Sequence, residues 1–172
     1  MKPPLIRGSN NDYQTPIIAL NPLFPYIDKE WVIWEPACGS GNLVRGLSNE
    51  GYRVIGSDIN IIGPSDNLRN LDFLKDYIPC DFIITNPPYS IKQQFLQRCY
   101  ELGKPFALLL PLTTFETKRR QDLFKKYGVE IIFFDKRINF ETPSGQGSGS
   151  WFSTAWFTHG LNIGKELTFE TL

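Results

Sequence analysis

The sequence predicts an open, doubly wound α/β sheet of seven mostly parallel strands, with helices on both faces and an antiparallel last strand. Three observations predict it. From Trp31 onward, short apolar runs alternate with longer amphipathic stretches, the rhythm of βαβ units. A glycine turn, Gly39-Ser40-Gly41, follows the first apolar run and leads into a helix. The last two runs have no helix between them, only a loop whose Gly/Ser part is the ten residues Glu141 to Ser150, too short for the usual crossover, so those strands should pair as an antiparallel hairpin.

Taken in order, Val32 to Glu35 is the first strand. Asn42 to Glu50 follows as a helix with Leu43, Val44 and Leu47 on one side and Gly51 to stop it. Tyr52 to Ile59 is the second strand and carries Asp58 at its end. Asn60 to Asn70, rich in Asn, Gly, Pro and Ser, reads as a loop into a short third strand near Leu68 to Leu71. Phe82 to Thr85 is the fourth strand, Lys92 to Leu102 a helix closed by Gly103, and Pro105 to Leu110 a fully buried fifth strand. A helix over Phe115 to Tyr127, ended by Gly128, precedes the sixth strand, Val129 to Phe134. A Gly/Ser loop then leads to the seventh, Trp151 to Thr158.

At 172 residues and 41% apolar content the chain suits one soluble globular domain. Eighteen basic and eighteen acidic residues cancel, so general basicity announces no nucleic-acid partner. Three cysteines and a single histidine, without paired ligand spacing, argue against structural zinc, any other metal or a disulfide framework, and for a reducing compartment. The N-terminus lacks the apolar core of a signal peptide, and no run approaches the ~20 apolar residues that span a bilayer. The expected location is the cytoplasm, bacterial or that of a phage-infected host, with no membrane partner.

Two segments carry chemistry. Asn86-Pro87-Pro88-Tyr89 ends the fourth strand with an amide, two residues lacking backbone N–H groups and an aromatic ring. Carbonyl acceptors beside a stacking surface suit a planar amine. The Gly39-Ser40-Gly41 turn, with Asp58 about 20 residues on, is the weak nucleotide-binding signature in which an acid takes ribose hydroxyls. Val44 stands where a dinucleotide site needs its third glycine, and Glu35 would repel a pyrophosphate. A cofactor with cationic groups has the opposite preference. S-adenosylmethionine, with its sulfonium and ammonium, is drawn to Glu35. Asp72-Phe73 offers a carboxylate and a ring to an adenine, or else a surface acid and a core phenylalanine.

Glu35-Pro-Ala-Cys-Gly-Ser-Gly-Asn-Leu43 together with Asn86-Pro-Pro-Tyr89 resembles the S-adenosylmethionine-dependent amino-methyltransferases, particularly the DNA adenine-N6 methyltransferases. Tyr13-Gln14-Thr15-Pro16 looks like the segment that precedes the glycine motif in many of them and covers the cofactor. The resemblance spans about residues 12 to 159, and small stand-alone versions, often carried by phages or prophages, match it best in size. It implies the Rossmann-like class I methyltransferase fold, a cofactor-covering segment over about 12–30, a catalytic core over 31–159 and no separate target-recognition domain. It further implies cofactor contacts at Thr15, Glu35, Ala37, Gly39, Asp58, Ile59, Asp72, Phe73 and Asn86.

In such a site the Asn86 side-chain oxygen and the Pro87 carbonyl hold the two N–H groups of the adenine amine. Pro87 and Pro88 stiffen the turn and Tyr89 stacks on the base. Alignment alone can supply roughly 7 to 11 kcal/mol, so His159 need not take part. A base in a duplex must be flipped out, or be single-stranded already. Phe140 is the candidate for its other face, with Trp151 and Phe152 as competitors. From Ile91 to Phe140 ten basic residues outnumber five acidic ones, and Lys118-Arg119-Arg120 is the densest cluster. It is either a phosphate contact or a solvated helix face.

The expected reaction is methyl transfer to adenine N6 in DNA. Same-chemistry rivals methylate RNA bases or protein glutamine; the protein enzymes usually bring a helical domain for which residues before 12 leave no room. A non-catalytic cofactor-binding module is the reading of another class, opposed by the intact Asn-Pro-Pro-Tyr. Target choice falls to the loops near Asn60 to Asn70 and Lys136 to Ser150, to a homodimer or to a partner subunit, or is lax.

Overall fold

The computed structural model describes residues 14–60, 68–142, 145–146 and 152–172. Its strands are β1 (Val32–Glu35), β2 (Arg53–Asp58), β3 (Leu68–Asn70), β4 (Phe82–Thr85), β5 (Phe106–Pro111), β6 (Glu130–Phe134), β7 (Glu141–Thr142), β8 (Gly145–Gln146), β9 (Thr154–His159) and β10 (Leu167–Glu170). The helices are α1 (Asn42–Asn49), α2 (Lys92–Leu102) and α3 (Lys118–Tyr127), with 3-10 segments at Ile17–Tyr26, Tyr89–Ile91 and Leu112–Glu116. Tyr13, most of the loop after β2, most of the Gly/Ser loop and Trp151 lie outside the described residues.

Among the described residues eight strands form the main sheet, in the order β10-β6-β9-β5-β4-β1-β2-β3, and β7 and β8 make a separate ribbon. The expected α/β class with a mostly parallel sheet is what forms. β9 runs antiparallel to β5 on one side and to β6 on the other. The last two expected strands therefore do pair antiparallel, and β9 also fills the gap left where the β5-to-β6 connection skips one position.

An eighth strand, β10, adds to the seven expected. It pairs parallel with β6 at the outer edge, where Phe169 stacks on Phe133 at 5.1 Å. Four residues that alternate between exposed and half-buried carry little hydrophobic signal, which is why the sequence does not mark them. The helix expected over Phe115 to Tyr127 is also divided. Thr117 is extended, at φ −110° and ψ 137°, so a 3-10 turn ends before α3 begins. The Arg120 guanidinium closes that corner by donating to the carbonyls of Thr114 at 2.5 Å and Thr113 at 3.3 Å.

The sheet is covered on both faces, as parallel strands require. On one face α1 and the 3-10 segment Ile17–Tyr26 pack over Ile33, Ile84, Leu109 and Trp156. On the other, Phe95, Leu96 and Cys99 of α2 and Phe124 of α3 pack over Trp34, Ile83, Leu108 and Phe157. Central strands read as continuous apolar runs because both faces are buried: all six residues of β5 are. The helix stripes differ in width accordingly, four buried residues on α2 and two on α3.

A long-range hydrogen bond from Trp156 Nε1 to the Ala19 carbonyl at 2.7 Å ties the N-terminal 3-10 segment to the sheet, with both residues fully buried. Trp156→Phe leaves that carbonyl unpaired and removes ring volume, so it should destabilise the protein by about 1 to 3 kcal/mol. Urea denaturation followed by circular dichroism reads this as a lower midpoint at unchanged slope.

Candidate functional site

The first strand of the chain leaves β2 and β3 on one side and β4 and β5 on the other, so strand order reverses between β1 and β4. A crevice opens at the carboxyl ends of the strands at such a point. Register places Glu35 beside Gly56 on β2, with Asp58 two residues further, and Trp34 beside Ile83 on β4, three residues before Asn86. Glu35, Asp58 and Asn86 therefore meet at one edge of the sheet.

Glu35 ends β1 at 2% exposure. Its carboxyl group accepts from the Val44 N–H in the first turn of α1, while Oε2 has no partner. Burial, opposed by that N–H and reinforced by Asp58, pushes its pKa from 4.5 up to about 8. Burial first, then Glu35 and Asp58, likewise push the Cys38 thiol up to about 12, which removes it as a nucleophile at neutral pH.

The turn between β1 and α1 is built by backbone. Gly41 N–H donates to the Cys38 carbonyl at 2.7 Å, and Gly39 and Gly41 hold φ of 51° and 84°, which side chains rarely adopt. Asp58 is fixed at the turn by accepting from Gly39 N–H and Asn60 N–H, each at 3.0 Å. Ala37 is half-buried, and Ile59 beyond β2 is 58% exposed.

The sequence did not mark Gln14 as a site residue, yet it lies on this turn. Its Oε1 accepts from Ser40 Oγ at 2.8 Å and Ser40 N–H at 3.3 Å, and a Cβ on Gly39 would come within 2.7 Å of its Nε2. Gln14 and Glu141 exchange two backbone hydrogen bonds, at 2.9 and 3.0 Å. Asn42 Nδ2 donates to Glu141 Oε2 at 3.1 Å and to the carbonyl of buried Thr15 at 3.4 Å. Contacts between residues so far apart in the chain have no local sequence signal.

On the β4 side Asn86 Oδ1 is buried and has no partner, and neither has Tyr89 Oη. Pro87 is buried. The Pro88 carbonyl accepts from Ile91 N–H at 3.0 Å and the Tyr89 carbonyl from Lys92 Nζ at 3.1 Å, which fixes the turn from below. Burial raises the pKa of Tyr89 far above its ordinary value, so the phenol stays neutral. Its ring meets Phe152 edge-on at 5.6 Å, and Phe152 in turn lies 6.5 Å from Phe140. Phe140 is 6% exposed within the core and Phe152 is 37% exposed, so the more accessible ring is the competitor rather than the first candidate.

The remaining expected contacts have partners of their own. Asp72 pairs with Lys75 at 3.0 Å, which with the Leu74 N–H holds its pKa below the ordinary value. Phe73 is 1% exposed between Trp34 and Phe95. Lys118 is exposed and paired with Asp122 at 2.6 Å, Arg119 donates to Gln97 at 3.4 Å, and Arg120 turns inward to its two carbonyls. Among the described residues no cluster of histidine, cysteine, aspartate or glutamate could hold a metal ion, and no helix is long and apolar enough to cross a membrane.

No protein-family model and no curated protein sequence matches the chain. Solved structures do. A Pyrococcus horikoshii protein described as an RNA methyltransferase is 15% identical and superposes with a TM-score of 0.59 over 82% of this chain and 79% of its own. A dimethyladenosine transferase from Plasmodium falciparum is 16% identical, with a TM-score of 0.54 over 85% of this chain and 62% of its own. A Vibrio vulnificus protein described as a modification subunit of a type I restriction enzyme is 13% identical, with a TM-score of 0.54 over 88% and 45%. The chain thus corresponds to about half or two thirds of the last two. What it shares with all three is the fold, a Rossmann-like α/β fold found in methyltransferases.

The buried acid makes a prediction about pH. Between 4.5 and about 8 the folded protein keeps a proton on Glu35 that the unfolded chain has released. The stability from this group is complete below pH 4.5 and is lost as pH rises towards 8, with a limiting slope of about 1.4 kcal/mol per pH unit. Glu35→Gln should flatten that dependence. Denaturation of both proteins across pH 5 to 9 checks it; parallel curves would refute the assignment.

Proposed function

We propose that the protein is an S-adenosylmethionine-dependent methyltransferase acting on the exocyclic N6 amine of adenine in DNA. One observation carries the reading: Glu35 Oε2 and Asn86 Oδ1 are buried polar atoms without a hydrogen-bond partner, at the ends of the two strands that flank the reversal of strand order. A buried acceptor without a donor costs about 1 to 3 kcal/mol, a cost a ligand can relieve. Glu35 suits a cation and Asn86 suits an N–H donor, the two partners a methyl transfer to an amine brings together.

The residues present fit the cofactor. Glu35 and the Gly39-Ser40-Gly41 turn would hold its cationic amino-acid part, and Asp58 its ribose hydroxyls, with Thr15, Ala37, Ile59, Asp72 and Phe73 as further contacts implied by the family resemblance. When bound, S-adenosylmethionine supplies an activated methyl group on a positively charged sulfur. The residues about 12–30 would cover it.

Asn86 Oδ1 and the Pro87 carbonyl hold the two amine hydrogens and turn the nitrogen lone pair out of conjugation with the ring. Pro87 and Pro88 fix that geometry. Tyr89, kept neutral and apolar by burial, supports the ring of a flipped or unpaired base, with a stacking contribution of about 1 to 3 kcal/mol. Phe152 and Phe140 extend that aromatic wall. Lys118 and Arg119 remain on the surface for phosphate oxygens, whereas Arg120 holds the corner before α3. Choice of DNA rests on the motif resemblance; the names of two neighbours, a dimethyladenosine transferase and a restriction modification subunit, accord with adenine and with modification. Cytoplasmic residence and a homodimer or partner subunit for target choice belong to the same proposal.

Labelled S-adenosylmethionine incubated with unmethylated DNA, RNA and protein should place label in DNA as N6-methyladenine. Label in protein or RNA alone would replace the substrate, and none anywhere, with cofactor bound, would favour a binding module. Asn86→Ala should lose at least ~100-fold in turnover while cofactor binding persists. Retained turnover would remove Asn86 from its role.

A further inference from the structure

We infer that Thr154 reads the ring edge of the acceptor base, its hydroxyl donating a hydrogen bond to a ring nitrogen of the purine whose amine Asn86 holds. The inference rests on the methyl-transfer reading above and adds a residue that decides which planar amine is accepted.

Thr154 is 6% exposed and its Oγ1 has no hydrogen-bond partner. A valine of the same shape would fit a strand at least as well and leave no polar atom buried. The hydroxyl therefore costs stability unless a partner arrives from outside. Its place says from where. Thr154 is the first residue of β9, paired with Pro111 at the carboxyl end of β5. Alternation along β9 puts it on the face of Trp156, and the register puts Trp156 beside Leu109, in the same core cluster as Ile33 and Ile84. Alternation along β1 and β4 puts Glu35 and Asn86 on that face too. Two residues before Thr154, Phe152 touches the ring of Tyr89.

The hydroxyl thus lies at the carboxyl edge of the sheet, on the face that carries Glu35, two strands across from Asn86 and two residues further along, roughly 12 Å in all. A base gripped by its amine at Asn86 and laid against Tyr89 extends its far edge towards β5 and β9. A bicyclic purine reaches further that way than a pyrimidine or an amide side chain. The ring nitrogens of adenine are acceptors, and a hydroxyl can donate to one.

The test uses the intact protein and single-stranded oligonucleotides carrying one acceptor each: adenine, 1-deazaadenine, 3-deazaadenine or 7-deazaadenine. On adenine, Thr154→Val should lower kcat/KM about 10-fold and Thr154→Ser should restore it. On the one analogue that lacks the contacted nitrogen, wild type and Thr154→Val should be equal, because the contact is missing from both. Comparing variants on the same acceptor cancels differences in amine reactivity. If Thr154→Val does not fold, as melting would show, Thr154→Ala in the same series reads the same coupling. An equal loss on all four acceptors would make Thr154 structural, and no loss on any would end the inference; both leave wild-type transfer to adenine intact. Absence of wild-type transfer to any oligonucleotide would instead overturn the proposed function, and this inference with it.

Discussion

Glu35 holds a carboxyl group at the end of β1 with one oxygen on the Val44 N–H and the other unmet, sealed from water at the point where strand order reverses. The surrounding architecture is what makes that tolerable. The parallel sheet brings the carboxyl ends of β1, β2 and β4 to one edge, and α1 begins directly after the glycine turn, so the Val44 N–H of its first turn meets the acid. Burial keeps the group protonated at rest, and a cation beside it would reverse that preference. Asp58, anchored two residues past Gly56 by the backbone of the turn, adds a second acid to the same edge and raises the Glu35 pKa further.

A second constraint closes over the first. Gln14 and Glu141 pair backbone to backbone, Gln14 places its amide oxygen on Ser40, and Asn42 joins both strands of the strap through Glu141 and Thr15. Glycine at position 39 suits its positive φ, and a side chain there would displace the Gln14 amide from Ser40. The strap links the turn, on the β1 side, to the segment carrying Phe140, on the β6 side. The N-terminal segment is in turn pinned by Trp156 of β9, the strand that also carries Thr154.

Much of this was legible from residue patterns. β1, β4 and α2 fall on the residues expected, because a buried parallel strand is a continuous apolar run and a helix announces itself by its stripe and its terminal glycine. The site motifs were legible because they are contiguous: Gly39-Ser40-Gly41 and Asn86-Pro87-Pro88-Tyr89 each lie in one turn. What escaped notice lacks such a local mark. β10 is short and half-exposed, Thr117 breaks a helix at a corner that Arg120 closes by reaching back six and seven residues, and Arg120 reads as a surface charge until its carbonyl partners are seen.

The alternation of strands and helices, the two motif turns and the acid placed where a cation would be welcome all follow from local residue patterns, since backbone propensity, burial period and charge are properties of neighbouring residues. Long-range packing, by contrast, places β9 between β5 and β6, brings Gln14 to the glycine turn, and sets Phe152 rather than Phe140 against Tyr89. Those pairings join residues far apart in the chain, and they are fixed by which faces can be buried together, a condition that no short window of sequence contains.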